Sequence, residues 1–228
     1  MIPASYPALT ADGDTVAEHA LTFDAGRAWR LLIVPALFDE ANRLRRLAVE
    51  VMRRLDAAGI DSVLIDLPGC NESLQPLDAQ TPTLWREAAT LAAAHFRATH
   101  VLGMRGGAML MPAGLPGWRY APTGGAQILR QMLRTRIMAA REAGVEETQE
   151  ALIETGLVHG LDLSGHRLSA AFLREFQALR PGLSPQVAGI DQDMLGSGGG
   201  LWLRAEPGES REQADALAAI VAIGMKAS

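Results

Sequence analysis

The fold of this chain is decided by one stretch, Thr99-His100-Val101-Leu102-Gly103-Met104-Arg105-Gly106-Gly107. Its first four residues predict a short buried strand, because a short run bounded by turn residues is typical of such strands. The four residues after Gly107, residues 108–111, predict the start of a helix. Glycine permits the tight backbone of a turn and the close approach of neighbouring chain. We therefore expect a sharp strand–turn–helix unit with Arg105 at its apex.

Strands and helices alternate before this turn. An outer strand is expected over Thr15–Phe23 and a buried strand over Trp29–Val34, which is a nearly continuous apolar run. A helix over Asn42–Ala57, a strand over Ser62–Leu67 and a helix from Thr81 to about Arg97 follow. This alternation predicts a parallel sheet with right-handed crossovers and helices on both faces.

Helices dominate after the turn. The pattern predicts a loop over Pro112–Pro122, a hairpin-like or irregular connection over Leu157–Leu168 and a strand over Gly200–Arg204. Helices are expected over Ala126–Ala143, Glu146–Glu154, Ala170–Leu179 and Arg211–Gly224. We expect one domain over residues 1–228. Within it, residues 112–182 are predicted to form a helical cap over the carboxyl edge of the sheet, where ligands of open α/β sheets bind.

Composition excludes several classes of protein. The net charge of −5, without a basic stripe, argues against nucleic acid as a partner. One cysteine, Cys70, is too few for a disulfide framework or a cysteine-based metal site, and we expect no metal and no cofactor. No apolar run reaches the length of a membrane span. The start of the chain lacks the pattern of a secretory signal, so a cytoplasmic protein is expected.

The turn resembles the nucleophile elbow of α/β-hydrolases, in which strand, Gly-x-Ser-x-Gly and helix follow one another. Here Gly103 and Gly107 keep the spacing, but Arg105 stands at the serine position. A guanidinium stays protonated and cannot attack a carbonyl carbon. The base of a serine triad follows the last strand in this fold, yet no histidine follows His166. The sequence thus predicts a hydrolase scaffold without its usual nucleophile and base.

Four segments together resemble the second type of the exosortase A-associated hydrolase family of Gram-negative bacteria. They are Leu32–Arg43, Asp66–Gly69, Gly103–Gly107 and Tyr120–Arg136, and the resemblance covers roughly residues 30–180. It implies an α/β-hydrolase fold and a cytoplasmic accessory role in making envelope polysaccharide, alongside exopolysaccharide and exosortase loci. The family is similar in carrying arginine at the elbow. The resemblance brings no established reaction.

Arg105 has two interpretations. As an anion site, it would combine the free N–H groups of a helix N-terminus with a guanidinium that binds carboxylate or phosphate through two hydrogen bonds. As a structural residue, it would pair with Asp39 or Glu40 on the loop after the first central strand. We favour the ion pair, because buried charged residues are usually paired within the protein.

Further candidates carry weaker signals. For catalysis these are Glu40, Cys70 and Glu206, although capping, packing and solvent exposure would explain them equally well or better. For ligand binding they are Arg105, Gly106, Phe38, Arg130 and Arg134. Phe38 lies on the loop that supplies one oxyanion-hole N–H in hydrolases. Arg130 and Arg134 share one helix face, which could receive an anion or simply face solvent.

Two functions from different classes follow. The first is a non-catalytic or anion-binding accessory protein, with a small anionic ligand and a homodimer as the partners considered. The second is a hydrolase or acyltransferase that acts on an ester-type small molecule through an unconventional nucleophile or an activated water. Fold alone does not choose between them, because one fold hosts many functions.

Overall fold

The computed structural model describes residues 1–227. They form a seven-stranded sheet with a layer of helices on each face, and a separate two-stranded hairpin. The strands are β1 (Ile2–Leu9), β2 (Thr15–Phe23), β3 (Arg30–Val34), β4 (Asp61–Ile65), β5 (His100–Met104), β6 (Gly117–Tyr120), β7 (Leu161–Leu163), β8 (His166–Leu168) and β9 (Val187–Ile190). The α-helices are α1 (Asp39–Ala57), α2 (Pro82–His95), α3 (Gly125–Glu142), α4 (Gln149–His159), α5 (Ala170–Ala178) and α6 (Arg211–Ala227).

The strand order in the large sheet is β1-β2-β4-β3-β5-β6-β9. The five strands from β4 to β9 are parallel, and β2 and β1 continue the sheet in antiparallel fashion. Strands β7 and β8 form the separate antiparallel hairpin. This arrangement confirms the predicted fold class, a mostly parallel sheet with helices on both faces.

The central strand β3 feeds both hydrophobic cores. Leu32 and Val34 belong to the core that holds α2 and the helices α3–α5. Leu31 and Ile33 belong to the opposite core, with α1 and α6. Alternate residues of a strand point to opposite faces, so a strand covered on both sides must be apolar throughout. That requirement explains why β3 was recognisable from its sequence.

Several predicted elements are wrong. The predicted loop Pro112–Pro122 contains β6, which pairs with β5. The predicted strand Gly200–Arg204 is instead a short 3₁₀ helix, Leu201–Leu203. The last strand of the sheet is β9, four residues long. No α-helix begins at Ala108, since the elbow continues into a 3₁₀ helix, Arg105–Met109.

The segment between β6 and β9 holds α3, α4, the β7–β8 hairpin and α5. It packs onto the sheet through apolar side chains such as Ile128, Phe172 and Phe176, which lie in the same core as β3. Strand β6 lies inside the range 112–182 but belongs to the central sheet. The helical part of that range therefore begins at α3.

Candidate functional site

The backbone at Arg105 has the geometry of an elbow. Strand β5 ends at Met104, and Arg105 takes a φ of 51°, which is rare for a residue other than glycine. The outer glycines are needed for close packing. A Cβ on Gly107 would lie 2.2 Å from the carbonyl oxygen of Pro35, and one on Gly103 would lie 2.7 Å from the Cα of Ala108. The chain thus keeps the turn and changes the side chain at its apex.

All three nitrogens of the Arg105 guanidinium donate hydrogen bonds within the protein. Nε donates to Oε2 of Glu40 at 3.1 Å, and Nη2 donates to Oε1 of the same carboxylate at 3.0 Å. Nη1 donates to the carbonyl oxygen of Ala121 at 2.7 Å. The side chains of Arg105 and Glu40 are only 12% and 9% exposed. Of the two acids considered for an ion pair, Glu40 makes it.

Trp202 covers the guanidinium. The Cζ of Arg105 lies 4.1 Å from the centre of the Trp202 ring, in cation–π geometry. Nη1 of Arg43 donates to the carbonyl oxygen of Trp202 at 3.1 Å, which ties this residue to α1. Trp202 follows the last strand of the sheet, the part of the chain that carries the triad histidine in α/β-hydrolases. An aromatic ring from this part of the chain therefore lies against the residue at the apex of the elbow.

Gly106 and Phe38 are both packed into the core. A Cβ on Gly106 would come within 2.8 Å of Ile128 and 2.9 Å of Leu37, so no room is left for a side chain at this position. The Phe38 ring lies among Trp85, Phe172 and Phe176, with ring centres 5.7–6.0 Å away. Phe38 also takes a φ of 55° at the start of α1. Both residues thus pack against the core at the carboxyl edge.

A cavity of about 120 Å³ opens beside this edge, between the loops after β3 and β4. Phe38, Cys70, Asn71 and His166 are among the residues that line it. Nε2 of His166 lies 3.5 Å from Oδ1 of Asp39, and its ring lies edge-on to Phe38. The β7–β8 hairpin thus brings a histidine to the same cavity as the cysteine. No local sequence pattern predicts that the two residues share a cavity, because the position of the hairpin depends on the packing of α4 and α5.

Cys70 is in an environment that disfavours its thiolate. Burial raises the pKa of the thiol to about 12, and the negative charges of Asp66 and Glu18 act in the same direction. The thiolate is the nucleophilic form of cysteine. At neutral pH Cys70 is therefore a protonated thiol.

Asp66 forms a charged network under the cavity that sequence reasoning missed. Its side chain is almost fully buried and accepts hydrogen bonds from Arg45 at 2.6 Å and Asn71 at 2.9 Å. Nδ1 of His19 lies 2.8 Å from its other oxygen. The sequence feature that could have indicated this network is the position of Asp66, a carboxylate directly after the buried strand β4. With three partners from β2, α1 and the following loop, Asp66 holds the elements around the cavity in place.

The remaining candidates lie apart from the elbow. Arg130 and Arg134 are exposed on α3, and Arg130 lines a second cavity, which lies between α3, α4, α5 and β7. Glu206 is exposed in the segment before α6, and no hydrogen bond or ion pair joins it to Arg105 within residues 1–227. Across the same residues, no group of His, Cys, Asp and Glu side chains has an arrangement that could hold a metal ion. None of the described helices is both long and apolar enough to cross a membrane.

Solved structures share this architecture. A protein from Agrobacterium vitis S4 named "putative hydrolase" has a TM-score of 0.51 and 14% identity over 100% of this chain and 99% of that chain. Protein PA2218 from Pseudomonas aeruginosa has a TM-score of 0.51 and 12% identity over 83% of this chain and 77% of its own. The α/β hydrolase GrgF from Penicillium sp. sh18 has a TM-score of 0.49 and 16% identity, over 82% and 78%.

The chain has an α/β-hydrolase fold. The likeness at these identities concerns the fold alone. No family model matches the sequence, and no curated protein does either. What the α/β-hydrolase fold places at the carboxyl edge of this chain is an arginine held by Glu40, Ala121 and Trp202.

Proposed function

We propose that this chain is a non-catalytic accessory protein built on the α/β-hydrolase fold. One observation supports this most: every nitrogen of the Arg105 guanidinium is already bound by Glu40 or Ala121, and Trp202 covers its face. A serine-type reaction needs a nucleophile with a base within hydrogen-bond reach. The apex of this elbow supplies a fixed cation instead. The ion pair links the loop after β3 to the loop after β5 and stabilises the edge as a rigid surface.

The cellular role that we propose rests on the sequence resemblance. The segments around Leu32–Arg43, Gly103–Gly107 and Tyr120–Arg136 resemble the exosortase A-associated hydrolases. We propose an accessory role in exopolysaccharide production on that basis, with a cytoplasmic location and a homodimer as further parts of the proposal. A small anion is the ligand class we propose, and Arg130 on α3, which makes no ion pair within residues 1–227, is better placed to bind it than Arg105.

The proposal is tested by assaying the purified protein with short-chain nitrophenyl esters and a serine-reactive fluorophosphonate probe. We expect no turnover above that of heat-inactivated protein and no labelling of any serine. Turnover that disappears when one serine is replaced by alanine would overturn the proposal, because it would reveal a nucleophile outside the elbow.

A thiol enzyme is the second candidate, and the cavity beside the elbow favours it. Cys70 and His166 line the same space, and His166 contacts Asp39, so cysteine, histidine and aspartate are all present. Burial of the thiol speaks against it, since the raised pKa of Cys70 leaves little thiolate at neutral pH. Thioester hydrolysis by the wild type that is lost in Cys70→Ala and in His166→Ala would favour this function over the first.

A further inference from the structure

A second cavity, partly open to solvent, lies among the helices that follow β6, and its lining is more uniformly apolar than the edge of the sheet. It has a volume of about 130 Å³ and lies between α3, α4, α5 and β7. Seven leucine and isoleucine side chains line it, among them Leu129, Leu157 and Leu173. An apolar cavity of similar size, about 150 Å³, stays dry and binds a benzene-sized molecule. The interior of this cavity is therefore suited to a short aliphatic group.

Three polar side chains also line the cavity, Arg130, Gln149 and Gln177. Arg130 is exposed, and the two glutamines are half-buried, so these groups reach the solvent. Within residues 1–227, Arg130 makes no ion pair. The neighbouring arginine Arg136 differs, because Glu147 holds it at 2.7 Å. A cation without a partner thus stands at an otherwise apolar cavity.

We propose that the cap binds a small amphipathic anion, a carboxylate attached to a short aliphatic chain. The chain lies against the leucines, where burial of apolar surface stabilises it. The carboxylate pairs with Arg130, whose planar guanidinium suits two parallel hydrogen bonds to a carboxylate. The side-chain amides of Gln149 and Gln177 donate further hydrogen bonds. An inorganic anion would leave the apolar wall empty, and a neutral chain would leave Arg130 unpaired.

This site is independent of the elbow. Arg105 is not among the residues that line this cavity. The inference therefore holds whether or not the edge of the sheet is catalytic. The inference rests on the proposed function in one respect, the binding of a small anion. It adds where the anion binds and which chemical group is attached to it.

Titration calorimetry of the full chain with hexanoate, hexanamide and acetate tests the site. We expect hexanoate to bind, with at least a tenfold lower affinity for hexanamide, which keeps the chain but lacks the charge. Acetate, which keeps the charge but lacks the chain, is expected to bind at least tenfold more weakly as well. Arg130→Gln should reduce hexanoate affinity to that of hexanamide.

Arg134→Gln provides the matched control. Arg134 lies one turn further along α3, is exposed like Arg130, and does not line the cavity. Its replacement removes the same charge and should leave hexanoate affinity unchanged. Leu157→Trp, which places a large ring at the wall of the cavity, should weaken binding of hexanoate while circular dichroism shows the native fold. If Leu157→Trp does not fold, Leu157→Phe supplies the same test with a smaller increase in side-chain volume.

Three results would overturn the proposal. Equal losses from Arg130→Gln and Arg134→Gln would mean that hexanoate responds only to the charge of α3. Equal affinities for hexanoate and hexanamide would remove the carboxylate–arginine contact. Absence of binding by hexanoate and by the longer octanoate would exclude an aliphatic carboxylate as the ligand.

Discussion

The carboxylate of Glu40 and the guanidinium of Arg105 are joined by two hydrogen bonds, although 65 residues separate them in the chain. Glu40 belongs to the first turn of α1, and Arg105 is the apex of the elbow after β5. Both side chains are largely buried. A buried charge that loses its partner is strongly destabilising, whereas a pair replaced by neutral side chains is often nearly neutral.

The first prediction concerns this pair. Arg105→Met should lower the free energy of unfolding by roughly 3–5 kcal/mol, because it leaves the Glu40 carboxylate buried without a counter-charge. The double variant Arg105→Met with Glu40→Gln should recover most of that loss, since no uncompensated charge remains. Urea unfolding followed by circular dichroism measures both changes.

Arg53→Met is the control for this series. Arg53 pairs with Glu50 on the exposed side of α1, where ion pairs contribute about 1 kcal/mol or less. The free energy of unfolding of the Arg53→Met variant should be close to that of the wild type. A single Arg105→Met variant as stable as Arg53→Met would show that the pair at the elbow contributes little, and the elbow would then be open to a ligand.

The second prediction is that Arg105→Ser restores the serine but not a hydrolase. The Arg105 side chain is surrounded by Glu40, Ala121 and Trp202, none of which is a base of the histidine type. Nucleophile and base act as a unit, so a serine alone gains little. Nitrophenyl ester assays should show no turnover on the order of 1 per second, the lower end of ordinary enzyme rates. Such turnover would reveal a base that the geometry does not show.

The elbow and the strands around it could be predicted from the sequence because their residues answer local requirements. Strand β3 must be apolar on both faces, and Gly103 and Gly107 must lack side chains where chain segments meet. Such requirements act over a few residues and leave a readable pattern. The arginine at the apex could be identified, and so could two acids able to pair with it.

Strands β6 and β9 could not be predicted in the same way. Each has four residues, and their place in the sheet depends on neighbours distant in sequence. Gly117 is a residue typical of turns, yet it lies in β6. Glycine is required at this position because a Cβ would lie 1.8 Å from the carbonyl oxygen of Val101. Cys70 and His166 likewise share a cavity because of how the β7–β8 hairpin packs, and no local sequence pattern predicts this.

The third prediction uses the contact between the elbow and β3. In Gly107→Ala the new methyl group would meet the carbonyl oxygens of Pro35 and Val34, and backbone cannot move aside as a flexible side chain can. We expect a loss of at least about 2 kcal/mol in unfolding free energy, in the range of overpacked cores. Gly199→Ala is the matched control, because nothing lies within 4 Å of a Cβ there. Equal melting temperatures for the two variants would contradict the packing described.

The fourth prediction concerns acid sensitivity. His100 is buried on β5, stacked on Trp118, and burial lowers the pKa of its imidazole from the ordinary 6.5. The unfolded chain therefore takes up a proton at a higher pH than the folded chain does. Stability is fully present above about pH 6.5 and falls as the pH drops through the lowered pKa.

Urea unfolding at about pH 7.5 and about pH 5 measures this effect. The wild type should lose more stability between the two values than His100→Phe, which keeps an aromatic ring at the position and cannot be protonated. An identical pH dependence in both proteins would assign the acid sensitivity to groups other than His100.

The fifth prediction concerns Cys70 and separates the two proposed functions. Burial raises the pKa of its thiol from the ordinary 9.0 to about 12, so the native protein should react slowly with iodoacetamide at neutral pH. The rate should rise as the pH approaches the raised pKa. The same raised pKa means that the contribution of Cys70 to the stability of the fold is present below about pH 9 and is lost as the pH rises further.

Because Cys70 is the only cysteine, intact mass reports its labelling directly, with urea-unfolded protein as the fast reference. Native labelling at neutral pH as fast as in urea would mean that His166 or another group favours the thiolate, and the thiol enzyme would then replace the non-catalytic accessory protein as the better proposal.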